Sequence, residues 1–266
     1  MVIQFLGSGS EFEKMTRNYH STVFITENKK SMLIDVSYQI PEILREYKIN
    51  ISDIDKILLT HNHGVNVLGL EYIGKYIYLN KCNKRPELIS YNLILVELWE
   101  NILKGLLRNV NGSIMKFTDY FDLKPLPPRG TFNFESIKIS LVQVPHVITP
   151  EREIYSFGYK FEYNNIKIFI TGDCRFDYWR LIGFYETCDI IFHDCLFGTK
   201  KSEEHTHYDE LKQLPIEYRK KIYLYNYEIE NNISLSYLKK QVLEDGFKGI
   251  VLKGQKFKFG EKNINE

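Results

Sequence analysis

Residues 58–71 read Leu-Leu-Thr-His-Asn-His-Gly-Val-Asn-Val-Leu-Gly-Leu-Glu. The apolar run Ile57-Leu58-Leu59 sits inside Lys56–Thr60 and predicts a short buried strand. His61 and His63 follow it directly. In extended chain, residues i and i+2 point the same way, so both imidazoles can reach one cation. Two histidines at this spacing are a weak signal alone, and the rest of the chain strengthens it. Of seven histidines, His61, His63, His146 and His193 fall at or just after the ends of expected strands. His205 and His207 share one polar loop ahead of an expected helix, and only His20 stands apart. Asp173 follows the strand Ile168–Thr171 through Gly172. Three neutral imidazoles and a carboxylate, all at strand ends, suit Zn²⁺ or a similar borderline metal.

Working outward, the spacing predicts strands over Val2–Leu6, Ser21–Thr26, Ser31–Val36, Ile137–Val144, Ser156–Tyr163, Ile166–Thr171, Ile190–His193 and Ile222–Tyr225. Asn164-Asn165 between two of them is a two-residue hairpin signal. Helical spacing is expected over Pro41–Tyr47, Leu88–Leu107, Tyr208–Gln213 and Leu235–Glu244. Residues 109–130 are turn-rich, and Pro125, Pro127 and Pro128 mark an irregular insertion. Strands and helices occur in two successive sets, which implies an α/β fold of two similar halves, each a sheet with helices on one face. No linker or repeat divides residues 1–266, so a single domain is expected. Gly7-Ser8-Gly9-Ser10 lacks the Lys-Ser/Thr of a phosphate loop and reads as a structural turn.

The 266 residues carry 35 Lys+Arg against 34 Asp+Glu, a net charge of +1. That excludes a strongly basic polyanion binder, and long nucleic acid is a poorer fit than a small ligand. The chain contains no alanine. With its surfeit of Ile, Lys, Asn, Tyr and Phe, this points to an AT-rich genome, that of a low-GC bacterium or its phage. The scattered Cys82, Cys174, Cys188 and Cys195 read as free thiols of a reducing compartment. No leader or membrane-spanning pattern is evident, so a cytoplasmic protein is expected, in a bacterium or a phage-infected host cell.

Residues 58–71 resemble the first motif of the metallo-β-lactamase superfamily, Thr-His-x-His-x-Asp-His-x-x-Gly-Leu. Other segments fall in the family's order over roughly residues 2–230: Phe5–Ser10, Leu33-Ile34-Asp35, Val144-Pro145-His146, Phe169-Ile170-Thr171-Gly172-Asp173, Ile191–Cys195, His205–Leu211 and Tyr223–Tyr227. The His193 and His205 segments are similar to the ribonuclease Z-like branch, which includes transfer RNA 3′-processing enzymes and the phage anti-Pycsar proteins that degrade cyclic mononucleotides. The resemblance implies a four-layer αββα sandwich, two mixed sheets with helices on the outer faces. It assigns metal ligation to His61, His63, His146 and Asp173, catalysis to Asp173 and His205, and a supporting position to His193 and Asp194. It also implies a homodimer.

Three positions depart from the pattern. Val65 stands where the family has Asp, and Asn66 and Asn226 stand where it has His. In the family these are the private ligands of a second metal. One complete site and one degenerate site imply one divalent metal per chain, zinc first. Two functions follow. The first is a metal-dependent phosphodiesterase acting on a small cyclic nucleotide, with an anti-defence role. The second is a degenerate member that binds a nucleotide or a protein without turnover. Hydrolysis of β-lactams or thioesters fits less well, because the motif at His205 is not typical of those branches.

Overall fold

The computed structural model describes residues 1–11, 18–148, 153–199, 201–229, 234–260 and 264–265. Its strands form two large mixed sheets. The first has the order Ile264–Asn265, Lys256–Phe259, Val2–Gly7, Thr22–Glu27, Lys30–Ile34, Lys56–Leu58, Glu87–Tyr91, Asp122–Leu126. The second runs Gly249–Ile250, Ile222–Tyr225, Ile190–Asp194, Ile166–Ile170, Glu153–Tyr163, Ile137–Ile148, Thr131–Phe134. In each sheet one half is antiparallel. The other half, from Lys30–Ile34 to Asp122–Leu126 and from Ile166–Ile170 to Gly249–Ile250, is parallel.

A buried apolar layer lies between the sheets and draws on both, with Phe5, Phe157, Phe161, Phe192, Tyr223 and Phe257 among its large members. Phe5 and Phe192 approach to 4.9 Å between ring centroids. The outer face of the first sheet is covered by helices Ile40–Glu46, Gly69–Leu79 and the run from Asn92 to Leu107. The second is covered by Tyr178–Thr187 and Leu235–Glu244. This is the four-layer αββα arrangement that the resemblance implies. Phe192 touches Phe5, Tyr223 and Phe257 and is fully buried. Phe192→Ala is therefore expected to cost about 3–5 kcal/mol, the usual penalty for truncating a buried aromatic, read by urea unfolding.

Several expected elements differ in detail. Leu88–Tyr91 is strand rather than the start of a helix. Glu87–Tyr91 pairs in parallel with Lys56–Leu58, and the helix begins at Asn92 and passes through a π-helical segment at Leu98–Leu103. A short apolar run fits either state by periodicity, and the parallel neighbour decides it. Within the turn-rich segment, Asp122–Leu126 is also a strand despite Pro125. It occupies the sheet edge, where a missing N–H is tolerated. Asn164 and Asn165 both adopt left-handed backbone, φ 48° and 64°, as a two-residue hairpin turn of primed type requires.

Candidate metal centre

The parallel strands converge on one end of the sandwich, where each delivers a polar residue just past its carboxyl end. Lys56–Leu58 leads to His61 and His63, Ile166–Ile170 to Asp173, Ile190–Asp194 ends on Asp194, and Ile222–Tyr225 leads to Asn226. Extended backbone from His61 to His63 places the two rings together, 4.5 Å between centroids. The intervening Asn62 turns away and donates to the Ile94 carbonyl at 3.0 Å.

His146 arrives by a different device. The long strand Ile137–Ile148 loses register with its partner between Val144 and Val147, so Pro145 and His146 form a bulge. Proline cannot donate to the ladder, and a bulge re-aims the neighbouring side chain. Gly172 has φ +66°, and a Cβ there would come within 2.8 Å of the Phe157 carbonyl. Only glycine fits that turn, and it directs Asp173 back toward His61.

The side-chain nitrogens of His61, His63 and His146 and a carboxylate oxygen of Asp173 lie within 4.8 Å of one another. Hydrogen bonds set their tautomers. Thr60 Oγ1 donates to Asp35 Oδ2 at 2.7 Å, so it accepts from His61 Nδ1 at 2.9 Å. His61 Nε2 is thereby a bare lone pair, buried with no hydrogen-bond partner among the described residues and 3.5 Å from Asp173 Oδ2. His146 Nδ1 donates to the Glu204 carbonyl at 2.9 Å, leaving Nε2 bare and 3.4 Å from His63 Nδ1. Burial holds His61 well below the ordinary histidine pKa, and it lowers His146 too. Burial alone would raise Asp173, yet His61, then His205, His20 and His146, take it below the usual carboxylate range. Neutral lone pairs converging on an ionised carboxylate repel one another until a cation is placed among them. The donor set thus fits a divalent metal: three imidazole nitrogens and one oxygen.

His205 stands beside this cluster, its ring centroid 5.8 Å from that of His146. Its Nδ1 donates to Asp194 Oδ2 at 2.8 Å. Burial pushes its pKa down, but the charge and hydrogen bond of Asp194, with Asp173 behind, push it up to about 10. Asp194 is wholly buried, and its Oδ2 also accepts from the Cys174 backbone N–H at 2.9 Å.

His193 does not share the supporting position expected of it beside Asp194. It sits on the opposite side of the strand, with Nε2 3.0 Å from Tyr185 Oη and Nδ1 2.8 Å from the Asp194 carbonyl, so its contacts lie toward the outer helix Tyr178–Thr187. Alternation along Ile190–Asp194 sends neighbours to opposite faces. His207 is likewise structural, its Nδ1 accepting from the Asp209 N–H at the start of its own helix.

The altered positions are buried or half-buried, and the two asparagines are fully hydrogen-bonded. Asn66 Nδ2 donates to Asp35 Oδ2 at 3.0 Å, and its Oδ1 accepts from His20 Nε2 at 3.2 Å. Asn226 Nδ2 donates to Asp173 Oδ1 at 3.1 Å and to Asp194 Oδ1 at 3.0 Å, while its Oδ1 accepts from Ser21 Oγ at 3.2 Å. Val65 is a half-buried apolar side chain with no donor atom. His20, which stood apart in the sequence, is therefore part of this end of the sandwich. No local pattern marks it, because its partner Asn66 is 46 residues away.

A family model described as "Anti-Pycsar protein Apyc1" matches residues 1–257. A protein of that name from Bacillus phage BSP38 is 32% identical over 232 residues, 85% of this chain and 88% of the relative. Among solved structures, the metallo-β-lactamase fold protein YhfI from Bacillus subtilis superposes with a TM-score of 0.74 at 12% identity, covering 96% of this chain and 97% of that one. Zn²⁺-bound PqqB from Methylobacterium extorquens also gives 0.74, at 14% identity, over 97% of this chain and 100% of that one. Both likenesses establish the metallo-β-lactamase fold.

Proposed function

This chain belongs to the anti-Pycsar protein Apyc1 family, and from that premise we propose that it is a metal-dependent phosphodiesterase opening the ring of a cyclic mononucleotide with one divalent ion. The observation that carries the reading is the cluster of His61, His63, His146 and Asp173 with the His205–Asp194 pair beside it. His61 Nε2, His63 Nδ1, His146 Nε2 and Asp173 Oδ2 would hold the ion, zinc being the best match for three imidazoles and a carboxylate. When bound, such an ion supplies Lewis acidity at a phosphoryl oxygen and lowers the pKa of a water toward about 7.

The protein's own part is to position and to move a proton. Asp173 is held ionised, with Oδ1 occupied by the Asn226 amide, so it serves better as a ligand than as a base. His205 is cationic at neutral pH, and Asp194 fixes Nδ1–H, leaving Nε2–H to protonate the departing oxygen. Water adds to phosphorus, one ring P–O bond breaks, and the alkoxide takes the His205 proton. The proton from water leaves to solvent. The imidazolium also supplies positive charge near the phosphate, which a second metal would otherwise contribute.

The test is hydrolysis of 3′,5′-cyclic mononucleotides by the zinc-loaded protein, followed by chromatography. Ring opening to a linear monophosphate, lost on chelation and restored by zinc, is the expected result. Submicromolar nucleotide binding without any turnover would instead support the non-catalytic reading, which the altered Val65, Asn66 and Asn226 favour. We also take the active form to be a homodimer in the cytoplasm of the host cell. Family likeness supports the dimer, and light scattering at twice the chain mass would test it. Among the described residues no helix is long and apolar enough to cross a membrane.

A further inference from the structure

We infer that His20 stands in the place of a second metal ion, and that its imidazole, with the amides it and Ser21 hold in position, restricts the site to one ion. This rests on the one-metal reading above. Asn66 and Asn226 occupy the two positions at which the family pattern has second-site histidines. Each could in principle offer its amide oxygen to a hard cation, as asparagine does elsewhere. Here both oxygens already accept hydrogen bonds, and from consecutive residues. His20 Nε2 donates to Asn66 Oδ1 at 3.2 Å, and Ser21 Oγ donates to Asn226 Oδ1 at 3.2 Å.

Neither amide can turn over to free its oxygen. Asn66 Nδ2 is committed to the Asp35 carboxylate, and Asn226 Nδ2 lies between the carboxylates of Asp173 and Asp194. Carboxylates accept only, so each requires the NH₂ side. An ion on an oxygen donor sits about 2.0–2.2 Å from it. The His20 nitrogen 3.2 Å from Asn66 Oδ1 takes one of that oxygen's two lone pairs, so an ion there would have to share the oxygen with a buried ring. Asp173 Oδ2 lies nearest His61 Nε2, and Oδ1, which would serve a second ion, is capped by the Asn226 amide instead.

The His20 ring is buried on a backbone that is fixed on both sides. Its residue is 4% exposed and its backbone N–H donates to Gln39 Oε1 at 2.8 Å. Behind it, Gly7 packs so tightly that a Cβ there would fall 2.4 Å from the His20 carbonyl. With Nε2–H committed to Asn66, His20 Nδ1 is a buried lone pair with no hydrogen-bond partner among the described residues. Among the described residues the ring's hydrogen-bond partner is the altered ligand position, Asn66.

The experiment is metal content by elemental analysis after zinc loading and dialysis, with zinc affinity from competition against a chelating dye. Wild type is expected to hold about one zinc per chain. The triple variant Val65→Asp, Asn66→His, Asn226→His, which restores the family's ligands, is expected to remain near one while His20 is present. Adding His20→Ser is expected to raise it to two. A triple variant that takes up two ions with His20 intact would overturn the inference. Should the combined variant fail to fold, the double variant Val65→Asp, Asn226→His is titrated with Mn²⁺ by electron paramagnetic resonance with and without His20→Ser. A second, weaker Mn²⁺ is expected only where His20 is replaced, and equal stoichiometry in the two proteins would overturn the inference. A wild type holding two zinc ions, or none, would sink the one-metal reading itself, which separates that failure from this one.

Discussion

His61→Ala is expected to abolish cyclic-nucleotide hydrolysis and to release the metal while leaving the fold in place. His61 is fully buried, its Nε2 has no hydrogen-bond partner among the described residues, and its Nδ1 is oriented through Thr60 by Asp35. Removing it takes one of three imidazoles from the ion. Loss of an outer partner already costs roughly 10–100-fold in metal affinity or activity, and a direct ligand should cost more. The measurement pairs initial rates with zinc content at fixed free zinc. Activity that survives at near wild-type level in metal-free His61→Ala would rule out metal-assisted hydrolysis at this cluster. Far-ultraviolet circular dichroism should be unchanged, because the core lies between the sheets and does not use this side chain.

The second large effect concerns the proton donor. His205→Ala is expected to slow turnover about 10²–10⁴-fold, the range for loss of a general acid, with zinc content unchanged. Asp194→Asn is the more discriminating variant, because it keeps the ring and removes the charge that holds its proton. The sign follows from the raised pKa. His205 in the folded protein titrates at about 10, so the imidazolium persists through neutral pH, and activity that needs it falls only as pH rises toward that value. A bound dication lowers the folded pKa somewhat but leaves the order of the variants intact. Without the Asp194 charge the alkaline limb of kcat should move to lower pH. The same proton links to stability. Its contribution is complete below the unfolded pKa of about 6.5 and is lost as pH rises through the folded value. Asp194→Asn should therefore lose more Tm at pH 7 than at pH 9. An alkaline limb that stays put in Asp194→Asn would remove His205 from the role of acid.

Much of this molecule is legible in its sequence. The expected strands over Ile222–Tyr225 and Ile190–His193 and the helix over Leu235–Glu244 match closely, because each shows its own period or its own turn residues. The strand Glu87–Tyr91 was not legible, since an apolar run of that length has no decisive period and its state depends on a parallel neighbour 31 residues earlier in register. Asp122–Leu126 was hidden by Pro125, which a sheet edge tolerates and a central strand does not.

The candidate site divides along the same line. The sequence by itself indicated which side chains could gather around a cation, because His61, His63 and Asp173 follow strands of the parallel halves, whose ends meet at one edge, whereas His146, inside the antiparallel strand Ile137–Ile148, joins them only through its bulge. It also exposed the altered Val65, Asn66 and Asn226. Tertiary structure alone decided the tautomers, through Asp35, Thr60 and the Glu204 carbonyl, and the separation of Asp194 from His193, which one register step sends to opposite faces. It alone brought His20 against Asn66. Periodicity encodes what a residue does for its own element, whereas a hydrogen bond between positions 46 apart leaves no local trace and exists only once both sheets have closed on each other.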